Sequence, residues 1–276
     1  MNNRNSGKPL YSQLIGLVKK GFSTLENENQ REVKEFIRSC QHPNGGFTDR
    51  GGRSDFYYSL FGVWLSAALD MPETLENHKS FVGEKQHERS GTVDALASLL
   101  IRISLFEEDF QKPSFLKLLK MAFRESNQSI FYRLFLFFLV FDAFYQGKMI
   151  HFFARIILFF YPLPVESPGS IYAALTLIRY KVGLSVNREK KALLFHFEKG
   201  KGFKAFRNVE EADLLSTAVV LFALKATDTD LRMVAPDCLE FIQGSYDSGA
   251  FLAGNGDEVR DLEYTFYGLL ALGTLI

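Results

Sequence analysis

Two kinds of apolar pattern alternate along the chain. In REVKEFIRSC (31–40) and NREKKALLFHF (187–197) apolar positions gather on one side of a helix and charges on the other, so one face meets water. In VWLSAAL (63–69) and AVVLFAL (218–224) the apolar positions run all the way round, which requires burial on every side. The alternation predicts helical pairs, an amphipathic helix followed by an apolar one. Between the two lies a polar stretch with Gly, Phe and Asp, which reads as a turn leading into a helix N-terminus.

The pairs repeat. FIRSCQHPNGGF (36–47) and LEFIQGSYDSGAF (239–251) each set a Gln four places after an aliphatic residue and then a Gly-x-Phe. A polar loop, an Asp and an apolar helix follow in both, and GKGFKAFRNVEEADLLSTAVVLFALKA (200–226) keeps the Phe, the Asp and the helix. The marker three residues past the Asp is Tyr58, Ser216 or Tyr264, and weaker copies place it at Asp94, Tyr132 and Tyr172. Successive markers stand 36 to 48 residues apart, the period of helical-pair repeats. An open stack of such pairs needs polar end caps, and the last helix, finishing LLALGTLI, offers none. The expected fold is therefore all-α: an α6-α6 toroid of about six hairpins, apolar helices inside and amphipathic ones outside. Residues 29–276 would form this single domain behind an N-terminal extension, 1–28.

Composition narrows the picture. The chain has 276 residues, 47% of them hydrophobic, enough for a core without a disulfide or metal staple. Thirty-two basic residues balance 32 acidic ones, so no global field selects nucleic acid. Cys40 and Cys238 are the only cysteines, and the N-terminus lacks the apolar core of a signal peptide, so a cytoplasmic protein is expected. The most lipid-like stretch, Ile130 to Tyr145, is interrupted by Arg133 and Asp142. It is shorter than the roughly 20 residues a bilayer span needs, so a buried helix is expected, with contact at a membrane surface as the alternative.

Residues 40–69, CQHPNGGFTDRGGRSDFYYSLFGVWLSAAL, resemble a repeat of the protein prenyltransferase β subunits. Phe36-Ile37-x3-Gln41-x3-Gly45-x-Phe47 also resembles the aromatic-Leu-x3-Gln-x3-Gly-x-Trp motif of squalene and hopene cyclases, with Phe for Trp. The likeness is strongest at 31–70 and 196–276, and it implies the closed α6-α6 barrel and an isoprenoid ligand. The departures matter for chemistry. Leu215 stands where a protonating cyclase would have its acidic Asp, and the chain has no Asp-Asp pair to hold magnesium. Against the zinc site of the transferases, Asp261-Leu262-Glu263 matches Asp-x-Cys with Glu for Cys, and Tyr58 stands in the His position. Asp261 and Glu263 are thus the candidate ligands for zinc or magnesium, short of the three that a catalytic zinc requires.

Asp55, Asp213 and Asp261 occupy one repeat position and read either as N-caps or, with Glu263 and Tyr58, as catalytic groups. Lys199, Lys201, Lys204 and Arg207 on one loop, with Arg50, Arg53 and Arg260 on others, would meet a diphosphate at helix N-termini. Trp64, Tyr172, Phe222 and Tyr264 lead a set of aromatics, drawn from 28 Phe, 11 Tyr and one Trp, that would sheath an isoprenoid chain or simply pack the core. The histidines (His42, His78, His87, His151, His196) show no ligand spacing, and both cysteines read as buried apolar residues. The leading expectation is an isoprenoid-handling protein that binds a prenyl diphosphate and transfers it, with an α-subunit-like partner implied by the resemblance. A terpene cyclase with a displaced acid such as Glu263, and a catalytically silent scaffold or lipid carrier, are the alternatives.

Overall fold

A computed structural model describes residues 8–84, 91–105, 113–122, 130–145, 154–156, 158–160 and 167–276. The described residues are predominantly helical and fall into two compact units. The first comprises Met1–Gly16 and Glu28–Phe144, the second Leu17–Asn27 and Tyr145–Ile276. Helix α1 (Leu10–Phe22), within the expected extension, contributes to both.

The first unit contains α2 (Asn27–Ser39), the short strands β1 (Phe47–Thr48) and β2 (Ser54–Asp55), and helices α3 (Phe56–Ala68), α4 (Pro72–Glu84), α5 (Thr92–Leu105), α6 (Phe115–Ala122) and α7 (Ile130–Phe144). The apolar helices α3, α5 and α7 lie side by side, while α4 packs on α3 and α5 and α6 packs on α5 and α7. Trp64 is wholly buried in α3, and its indole N–H, which needs a partner once out of water, is donated to Ser104 Oγ of α5 at 3.0 Å. Helix α7 is interior, as its pattern predicts: Leu136, Leu139 and Val140 are buried, and so are Arg133 and Asp142. The Asp142 carboxylate accepts the Leu10 N–H at the start of α1, so the charge that interrupts the apolar run satisfies a helix end. No helix among the described residues is long and apolar enough to cross a membrane.

The second unit contains α8 (Gly169–Lys181), α9 (Asn187–Leu194), β3 (Phe197–Glu198), β4 (Gly202–Phe203), α10 (Leu214–Ala226), α11 (Ala235–Gly244), β5 (Tyr246–Asp247), β6 (Ala250–Phe251) and α12 (Leu262–Leu275). Here α8, α10 and α12 form the apolar row, α9 packs on α8 and α10, and α11 packs on α12. Two glycines let α1 approach α12 backbone to backbone. A Cβ on Gly21 would lie 2.0 Å from the Leu269 carbonyl oxygen, and one on Gly273 would lie 1.9 Å from that of Leu17.

The repeat markers share a place in their helices. Tyr58, Asp94, Tyr132, Ser216 and Tyr264 are each the third residue of an apolar helix, and Tyr172 is the fourth of α8. The weak register at Asp94 thus falls at a helix start, while the residues before Ile130 lie outside the described ones and Tyr132 is placed only within an apolar helix. Small antiparallel hairpins precede α3, α10 and α12, with Phe47 opposite Asp55, Phe197 opposite Phe203 and Tyr246 opposite Phe251.

Candidate functional site

The three Asp residues do the same work in each copy. Each holds an extended backbone at the N-cap, and its Oδ1 accepts the N–H three residues on: Tyr58 to Asp55 at 2.7 Å, Ser216 to Asp213 at 2.8 Å, Tyr264 to Asp261 at 2.8 Å. One residue further, a hydroxyl ties the hairpin to the helix. Ser59, Thr217 and Thr265 accept the N–H of Phe47, Phe203 and Phe251 at 2.9, 3.0 and 3.3 Å. In the outer two copies the phenyl ring then lies on a glycine, since a Cβ at Gly62 or Gly268 would come within 2.3 Å of the Phe47 or Phe251 ring. Cap, hydroxyl and ring seat together explain why Asp recurs.

Burial shifts these carboxylates. Asp55 is pushed up to about 6, mainly by burial, with the charges of Asp94 and Asp49 adding and the Tyr58 N–H opposing. Asp213 is also raised by burial, and its Oδ2 has no hydrogen-bond partner. Asp261 and Glu263 are both buried at the start of α12. Asp261 Oδ1 is committed to the Tyr264 N–H, and among the described residues no three His, Cys, Asp or Glu side chains gather where a metal ion could be held. A catalytic zinc takes three protein ligands, one more than Asp261 and Glu263 supply.

His78 and His196 are buried, and each donates its Nδ1–H to a backbone carbonyl, Gly45 at 3.0 Å and Lys204 at 3.2 Å. Burial lowers both, His78 to about 4, and the cations Arg207 and Lys204 depress His196 further. His42 accepts the Asn44 N–H at Nδ1, and His87 and His151 lie outside the described residues. Cys40 is half-buried, and burial pushes the Cys238 thiol up to about 12, which makes it inert.

In the second unit the loop before one apolar helix caps the start of the previous one. Gly169 N–H donates to Ala205 O at 2.7 Å and Leu214 N–H to Ala253 O at 2.9 Å, so α8, α10 and α12 start at one end. The basic loop there divides. Lys201 pairs with Glu211 at 3.5 Å and Lys204 with Glu198 at 3.0 Å, while Lys199 is exposed. Arg260 reaches Asp247 at 4.0 Å; in the first unit Arg53 pairs with Asp49 at 3.2 Å and Arg50 is exposed.

Arg207 is different. Its guanidinium lies over the Phe195 ring, 5.3 Å from the centroid, and both line a cavity of about 470 Å³. Arg188 and Lys191, one turn apart on α9, bring two more cations to it; Tyr172 adds a ring and Asn187 an amide. Among the described residues no carboxylate lines this cavity, and none pairs with Arg188, Lys191 or Arg207. The neighbouring Glu189 points to a buried pair with Arg179 at 3.3 Å instead. Of the basic loop, Arg207 reaches the pocket; of the aromatic set, Tyr172 does. Trp64 and Phe222 are buried in their helical rows, and Tyr264 is half-buried.

Fold and site together define an all-α protein of helix–hairpin–helix repeats with a cationic, aromatic-lined pocket in its second unit. No protein-family model matches the chain, and no curated protein or solved structure matches it either.

Proposed function

We propose that this protein is a closed α/α toroid that binds a prenyl diphosphate, with the diphosphate on Arg188, Lys191 and Arg207 and the first isoprene units against Tyr172 and Phe195. The observation that carries the reading is three cations, without a carboxylate partner among the described residues, beside two aromatic rings in one cavity. Unpaired cations repel one another and gain most from a polyanion, which a diphosphate supplies with several acceptor oxygens. Ring faces next to them suit an unsaturated hydrocarbon and any positive character at its first carbon. The volume is within the range of small-molecule sites. The repeated hairpin–Asp–helix module supports the resemblance to prenyltransferase and cyclase repeats.

Transfer of the chain to an acceptor is the further step of this reading, with Asp261 and Glu263 meeting the acceptor. A carrier without chemistry is the second reading, and the commitment of Asp55, Asp213 and Asp261 to capping favours it. Calorimetric titration of the purified chain with farnesyl and geranylgeranyl diphosphate tests the proposal. Saturable binding that farnesol fails to reproduce is expected, and absence of saturable binding to both diphosphates ends it. Release of inorganic diphosphate with a candidate acceptor separates transferase from carrier.

A further inference from the structure

The margin of this pocket exposes apolar surface. Phe195 is 69% exposed, Leu194 40%, Phe206 38% and Val209 37%. Leu194 and Phe195 end α9, while Phe206 and Val209 bracket Arg207 in the loop before α10. Phe159 and Phe160 are exposed as well, at 64% and 77%. They follow Leu158, whose carbonyl accepts a hydrogen bond at 2.8 Å from Arg179, the ion-pair partner of Glu189. Single exposed apolar residues are ordinary on a protein surface; a group of them around unpaired cations is not.

The charges of the stretch are one-sided. Glu189, Glu198 and Glu211 are taken by Arg179, Lys204 and Lys201. Among the described residues Arg188, Lys191 and Arg207 have no carboxylate partner, nor do Lys190 and Lys199 beside them, and Glu210 is the carboxylate of this stretch left to oppose them. Aromatic and aliphatic side chains set among free cations match the boundary of an anionic bilayer, where rings settle at headgroup depth and cations meet lipid phosphates.

We propose that this face docks on an anionic lipid surface, with Phe195, Phe206 and Leu194 at the acyl boundary and the unpaired cations on lipid phosphates. The proposal shares Arg188, Lys191 and Arg207 with the prenyl diphosphate reading, and its own ground is the apolar margin of the pocket with Lys190 and Lys199 beside it. If both hold, the pocket opens onto the phase in which a prenyl chain dissolves.

Co-sedimentation of the full chain with vesicles of phosphatidylcholine, with and without phosphatidylserine, is the test. Binding is expected to require phosphatidylserine and to weaken with added salt. Neutralising Arg188→Gln and Lys191→Gln together should weaken it by about fivefold per cation. Leu194→Ser with Phe206→Ser removes exposed apolar groups outside the pocket lining. It should weaken vesicle binding at least about tenfold, leaving farnesyl diphosphate affinity and the circular dichroism spectrum unchanged. Failure to bind phosphatidylserine vesicles at low salt overturns the proposal. So does equal binding to uncharged vesicles, indifference to Leu194→Ser with Phe206→Ser, or tight binding of an acidic peptide without vesicle binding.

Discussion

Between Phe203 and Asp213 the chain carries Arg207 out to a cationic pocket, whereas the equally long loop between Phe251 and Asp261 turns its arginine back on its own hairpin. Arg260 turns back towards Asp247, Asn255 accepts the Asp257 N–H, and Asp257 accepts the Val259 N–H. Both loops enter their helices through the same Asp cap and the same hydroxyl–Phe link. They differ again seven residues past the cap, where α12 offers Gly268 as a seat for the Phe251 ring and α10 has Val220. The shared parts are structural because every copy needs them. Binding chemistry sits in what one copy has and its neighbour lacks.

Importing the Val of α10 into α12 gives the largest test of that contrast. Gly268→Val pushes a side chain into the Phe251 ring and should cost about 3 kcal/mol or more, read as a fall in the urea midpoint. A change under about 0.5 kcal/mol would show that the two helices are interchangeable there. Next comes the pocket. Arg207→Ala removes a charge-assisted contact and should raise the Kd for farnesyl diphosphate about 10- to 100-fold, while Arg260→Ala in the sister loop leaves it within about twofold.

The caps follow. Asp261→Ala should lose about 1 kcal/mol of stability. Asp213→Asn keeps an acceptor for the Ser216 N–H and removes a buried charge whose second oxygen has no partner, so it should be neutral or stabilising at pH 7. Equal losses from Asp213→Asn and Asp213→Ala would mean that the negative charge itself is what matters.

The smallest effect is one of pH, in the first copy. Asp55 titrates near 6 folded against 3.8 unfolded, so the folded chain holds its proton over that window and stability falls as pH rises through it. His78 titrates near 4 folded against 6.5 unfolded, so its share of stability is lost as pH falls through 6.5 towards 4. The two slopes oppose. Asp55→Asn should leave a Tm that drops more steeply below pH 6.5 than the parent's, and His78→Gln a Tm that rises from pH 6 to 4. Parallel curves for all three proteins would remove both assignments.

Much of the architecture was legible in the sequence. Apolar positions all round a helix demand burial wherever the chain goes, so α3, α10 and α12 were visible from composition alone. Repetition carried that signal to α5, whose start agrees with the marker at Asp94, and to α7, which contains the marker Tyr132. The Asp caps were legible for the same reason, since a role needed at each helix recurs at each helix. The pocket was not. NREKKALLFHF reads as a solvated amphipathic face; Glu189 is too close in sequence to face Arg188 or Lys191, but nothing local says that these two meet Arg207 and Tyr172 at one cavity. Glu189 is in any case taken by Arg179 from another helix. Conversely, Lys201 and Lys204 looked like phosphate ligands because the loop shows its cations, while Glu211 and Glu198 claim them only once the hairpin forms.

The glycine contact between α1 and α12 has a consequence for biosynthesis. Leu17 and Gly21 leave the ribosome well before the backbone they rest on, Leu269 to Gly273, which is made about 250 residues later. At roughly 5–20 residues per second, the nascent second half of α1 waits tens of seconds with its docking face bare, a window in which a chaperone has something to hold.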